Sequence, residues 1–86
     1  MDLQIINNIL VDIIEERSNQ FEKWGDQKHS FYKWMNILME EVGEACQIRL
    51  HIDEGLEDTI VDLRKELIQV IAVGVQIVEQ IDQGFL

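Results

Sequence analysis

Apolar residues recur along this chain at intervals of three and four rather than alternately, and no proline interrupts them, so the pattern predicts helices and no sheet. Ile5, Ile6, Ile9, Leu10, Ile13 and Ile14 form one wide stripe that gives way to polar residues from Glu15 to Gln20, which predicts a helix over about Leu3 to Phe21. The periodicity lapses from Lys23 to Ser30, around Gly25, Asp26 and His29, and predicts a connecting or functional loop with Ser30 placed to cap the next helix. A second helix is expected over about Phe31 to His51, with Trp34, Met35, Leu38, Met39, Val42 and Cys46 on its inner stripe. Phe21 and Phe31 also read as core. Asp53-Glu54-Gly55 breaks that helix, and a third is expected over about Glu57 to Ile81, opened by acidic residues and closed before Gly84.

The fold class is therefore all-α: a three-helix chain made of an antiparallel helical hairpin and an N-terminal helix, forming a single domain over residues 1–86. Between Leu67 and Val78 the third helix is apolar on nearly every face, more than two short partner helices can cover, so dimerisation or tetramerisation into a larger helical bundle is expected.

Composition narrows the functional classes. Seven Lys+Arg against 17 Asp+Glu give a formal charge of −10, which repels a phosphate backbone or an anionic membrane and disfavours nucleic acid as a partner. An anionic small molecule is compatible only if a bound cation inverts the local field. The one cysteine, Cys46, allows neither an intrachain disulfide nor a Cys-rich zinc site and fits a reducing, cytoplasmic setting. The start of the chain lacks the basic segment of a signal peptide, and the apolar run from Leu67 to Val78 is too short to span a membrane and contains Gln69 and Gln76.

The chemistry concentrates in Glu40-Glu41-Val42-Gly43-Glu44. Glu41 and Glu44 are three apart, about 60° round a helix, so both can reach one cation. Glu66 and Gln69 repeat that spacing on the third helix, and the two pairs lie symmetrically about Gly55, the expected bend, which brings them level in an antiparallel hairpin. Clustered glutamates are often no more than a solvated face. Here, however, Glu41 and Glu44 flank the apolar Val42 and Glu66 adjoins an apolar run, so their charges stand beside buried surface and call for neutralisation. An all-oxygen set without nearby His or Cys favours Mg²⁺, with Mn²⁺ possible, over zinc.

The EExxE pattern of Glu40 to Glu44, followed some 25 residues later by the ExxD-like Glu66-Leu67-Ile68-Gln69, resembles the MazG-like family of all-α nucleoside triphosphate pyrophosphohydrolases. Glu16-Arg17, Gln20, Lys23-Trp24-Gly25, Gln27, His29, Trp34 and the run from Glu66 to Gln76 are similar to the short phage and bacterial members, so the resemblance covers roughly Glu15 to Glu79. It implies Mg²⁺-dependent cleavage between the α- and β-phosphates of a (deoxy)nucleoside triphosphate, giving the monophosphate and pyrophosphate. It also implies Glu41, Glu44 and Glu66 as metal ligands. Glu40 is left between binding a second ion, orienting the attacking water and facing solvent. The family's last acidic ligand is usually Asp. Gln69 stands in its place here, a neutral and weaker oxygen donor, so either fewer ions bind or Gln69 takes another role such as contacting the nucleotide, and weak or lost turnover is part of the expectation.

Further candidates carry plain alternatives. Trp24, beside Gly25, either stacks on a nucleobase or plugs the end of the bundle. Gln20 either reads a base edge or is a surface polar residue, and His29 either contacts the ligand or caps the loop. Lys28, Lys33, Arg49, Arg64 and Lys65 are available cations, of which Arg64 and Lys65 stand nearest the carboxylates in sequence. Two competing readings remain: a non-catalytic dimeric bundle of the same fold, and a di-iron carboxylate protein. The latter usually needs Glu-x-x-His, and neither His29 nor His51 has Glu three positions before it.

Overall fold

The computed structural model describes all 86 residues, Met1–Leu86, as three helices: α1 (Leu3–Trp24), α2 (Phe31–Asp53) and α3 (Ile60–Asp82). Local chemistry starts each one by satisfying amides that the first turn leaves without partners. The Asp2 carboxylate accepts from the N–H of Gln4 and Ile5 at 3.0 and 3.1 Å, and Ser30 Oγ accepts from Lys33 N–H at 3.2 Å. Thr59 and Asp62 close a capping box: Thr59 Oγ1 accepts from Asp62 N–H at 3.4 Å while Asp62 Oδ2 accepts from Thr59 N–H at 2.8 Å. The Thr59 N–H, then its hydroxyl, hold the Asp62 carboxyl below its ordinary value.

Two boundaries differ from the sequence expectation. α1 runs one turn past Phe21, because Gly25, at φ +70°, is the first residue to leave the helix, and Glu22 and Lys23 extend into solvent without penalty. Trp24 therefore sits on the last turn of α1 and not in the loop. α3 begins at Ile60 and not at Glu57, since the short Thr59 hydroxyl reaches back to the amides as a longer glutamate does not. Gly55, at φ +76°, makes the bend between α2 and α3, where the His51 ring meets the Asp58 carboxylate.

α3 is the central helix, with α2 against one side and α1 against another, and α1 and α2 do not pack on each other. Trp34, Val73 and Ile77 form the core, flanked by Ile37 and Leu38. The Trp34 indole N–H donates to Gln80 Oε1 at 2.8 Å, and the Gln80 amide donates to the Gln27 carbonyl, which ties the loop between α1 and α2 to the far end of α3. Trp34 and Gln80 stand near opposite ends of their helices, whereas His51 and Asp58 meet at the bend, so α2 and α3 run antiparallel.

Only ten residues are buried, and the inner stripes read from periodicity are only half covered. Phe21, Phe31, Met39 and Cys46, expected inside, are exposed, because α1 and α2 each have one packing partner and the outer half of each stripe meets none. No helix is long and apolar enough to cross a membrane.

Candidate metal centre and adjoining cleft

The hairpin register carries Glu41 and Glu44 of α2 to the height of Glu66 on α3, and one carboxylate oxygen from each lies within 4.8 Å of the others. Glu44 is exposed, Glu41 half-buried, and Glu66 only 9% exposed. Glu41 Oε2 and Glu66 Oε1 are buried and find no hydrogen-bond donor. Ionised carboxylates only accept, so three of them facing one another can be reconciled by a proton or by a cation. Burial first, then the Glu41 and Glu44 carboxylates beside it, push the Glu66 carboxyl up to about 8. An oxygen-only set with two orphaned, buried acceptors fits a hard divalent ion such as Mg²⁺ or Mn²⁺.

Beside this cluster the gap between α1 and α2, floored by α3, opens as a cleft of about 440 Å³. Glu41 belongs to both the cluster and the cleft, and Gln69, one turn on from Glu66, lines the cleft next to it. Trp24, Gln27 and Trp34 contribute further wall, and Asn19, Gln20 and Lys23 line it from α1 and its last turn. Gln20 is buried between Arg17 and Glu16, at 3.5 Å from each, and Arg17 in turn holds Glu79 at 2.9 Å. The Lys23 ammonium lies 4.6 Å from the Trp24 ring centre.

No protein family, curated protein or solved structure matches this chain.

Other sequence candidates lie apart from the cleft. Glu40, a single residue from Glu41 and so about 100° round the helix, is exposed and outside the carboxylate cluster. The His29 ring packs edge-on against Trp34 with centroids 4.8 Å apart, and burial, then the Lys33 charge, lower its pKa, which favours the neutral ring. Arg64 pairs with Asp12 at 2.7 Å in a separate groove that Lys65 also lines. Arg49 pairs with Asp53 at 2.8 Å, and Lys28 lies over the Phe85 ring.

The cleft also contains residues that sequence reasoning did not single out as site residues: Asn19, Lys23 and Gln76. For Gln76 a signal existed. It is a polar residue inside an otherwise apolar helical run, a position that needs a reason. Lys23 stood in the Lys23-Trp24-Gly25 segment of the resemblance without a role, and for Asn19 there was no signal, since a polar residue late in α1 looks like an ordinary solvated face.

Proposed function

We propose that this chain is a Mg²⁺- or Mn²⁺-dependent (deoxy)nucleoside triphosphate pyrophosphohydrolase of the MazG-like kind, cutting between the α- and β-phosphates to release the nucleoside monophosphate and pyrophosphate. The observation that carries the reading is the convergence of Glu41, Glu44 and Glu66, with two buried and unpartnered oxygens, beside a cleft that Glu41 itself lines and that is large enough for an organic ligand. A divalent ion held by these carboxylates supplies charge neutralisation for the phosphates and polarises their oxygens. The chain's own part is to position: Gln69 offers a neutral oxygen beside Glu41, Lys23 gives the cleft a cation, and the Trp24 face that Lys23 leaves uncovered is offered to a base. The test is pyrophosphate release from a panel of canonical and modified triphosphates with and without Mg²⁺. If none is turned over and calorimetry finds no Mg²⁺-dependent nucleotide binding, the non-catalytic bundle replaces the enzyme.

The working unit in this proposal is a homodimer, able to pair further into a tetramer, in the cytoplasm, where the lone exposed Cys46 stays reduced. A compact monomer of 10.1 kDa is expected to expose roughly 5300 Å², against 6260 Å² here. The excess, roughly 1000 Å², is close to the about 800 Å² that each partner buries in a standard interface. Ile71, Val75 and Val78 of α3 join Ile14 and Phe21 of α1 in two adjoining shallow grooves that share Val75, and this is the face assigned to the second copy.

A further inference from the structure

Three glutamines are buried in this small chain, and two of them have evident structural tasks. Gln20 bonds Arg17 and Glu16, and Gln80 bonds the Trp34 indole and the Gln27 main chain. Gln76 is different: it is only 7% exposed, lines the cleft, and shares in no comparable side-chain bond. Its amide is not shut away among the unpartnered buried atoms, so it reaches the cleft, where it is free to pair with a ligand. Along that helix Gln76 stands ten residues beyond Glu66, roughly 15 Å at the α-helical rise. A phosphate chain followed by a sugar and a base fills such a span, whereas a bare phosphate does not.

A primary amide sets an N–H donor beside a carbonyl acceptor, the complement of a base edge that presents an acceptor beside a donor, as when Gln or Asn grips adenine. The half-exposed Trp24 ring lines the same cleft and supplies apolar surface for the flat face of a base. Resting on the nucleotide reading above, we infer that Gln76 is the specificity-determining residue of the cleft, recognising the hydrogen-bonding edge of the nucleobase while the carboxylate end takes the phosphates. Selectivity among bases then resides in one buried amide, because a mismatched edge leaves that amide and the base both unpaired.

The probe is binding of the four nucleoside 5′-monophosphates and of ribose 5-phosphate to the full chain in buffer with excess Mg²⁺, followed by tryptophan fluorescence. Wild-type protein is expected to bind at least one monophosphate about tenfold or more tighter than ribose 5-phosphate and to rank the bases. Gln76→Met, of similar size, should compress that ranking to within a few-fold while leaving the affinity for ribose 5-phosphate unchanged. Gln76→Leu should do the same if Met finds a way to mimic the amide. Base-blind binding by the wild type, or an unaltered ranking in both variants whatever their melting temperatures, overturns the inference. Base-ranked binding without pyrophosphate release would sink the hydrolase and leave Gln76 in its role; turnover with an unaltered ranking would do the reverse.

Discussion

Glu41 and Glu66 meet across the α2–α3 hairpin, each with one carboxylate oxygen buried and without a donor. The arrangement makes stability depend on pH in an unusual sense. Glu66 has its folded pKa raised from 4.5 to about 8, so between those values the native chain keeps a proton that the unfolded chain has lost. That contribution is fully present below about pH 4.5 and is lost as pH rises through about 8. Metal-free wild type should therefore lose melting temperature relative to Glu66→Gln as pH goes from 5 to 8, and excess Mg²⁺ should restore it at pH 8. Thermal unfolding of both proteins with chelator and with Mg²⁺ checks this; a wild-type-to-variant difference that is flat across pH would contradict it.

Removal of either α2 ligand separates function from folding. Glu41→Gln and Glu44→Gln should each lower pyrophosphate release by about 100-fold or more, since losing a direct ligand costs at least what losing a group behind one does. Both should elute like wild type on size exclusion. Glu41→Gln should also raise the melting temperature of metal-free protein at pH 8, because it deletes one of the facing charges. Undiminished turnover in both variants would remove the metal site from the mechanism.

Gln69 lines the cleft beside Glu41 and one turn from Glu66, where a further carboxylate would add charge to the same set. Gln69→Asp should tighten Mg²⁺ binding by roughly tenfold, following the dependence of affinity on ligand charge. In metal-free buffer at pH 8 it should melt lower than wild type. Calorimetric titration with Mg²⁺ measures the first effect, and an unchanged affinity would mean that Gln69 does not reach the ion.

At the other end of the cleft Gln80 holds two walls at once, Trp34 through its indole and the loop through the Gln27 carbonyl. Gln80→Leu leaves a buried indole N–H unpaired and should cost about 1–3 kcal/mol. Chemical denaturation reads that loss, and amide exchange in residues 25–30 should quicken more than in α2. Equal effects throughout the chain would show that Gln80 does not anchor the loop in particular.

The three carboxylates were legible from sequence because two short-range rules fix them: helical period sets Glu41 beside Glu44, and symmetry about Gly55 sets both beside Glu66. The cleft was not, because it arises where α1 and α2 fail to pack on each other, a relation that no periodicity encodes. Phe21 and Cys46 show the same limit. A stripe tells which face is apolar and not whether a neighbour exists to cover it. Nearness in sequence to Glu66 points to Arg64, yet two positions along a helix turn a side chain by about 200°, toward Asp12 and away from the carboxylates.

Val75 lies in both grooves of the face proposed for the second copy, close to Glu79, so a charge introduced there is the sharpest probe of assembly. Val75→Glu puts a carboxylate into the apolar face proposed for the second copy, where burying it without a partner is costly. The variant should run as a monomer on size exclusion with light scattering. Its melting temperature should fall and cease to rise with protein concentration, because only an assembling species gains stability by mass action. Tyr32→Glu, at a position 80% exposed and outside both grooves, serves as the control for added negative charge and should leave the mass of the assembly unchanged. A wild type that is already monomeric at every concentration, or a Val75→Glu protein with wild-type mass, would place the excess surface in some other role.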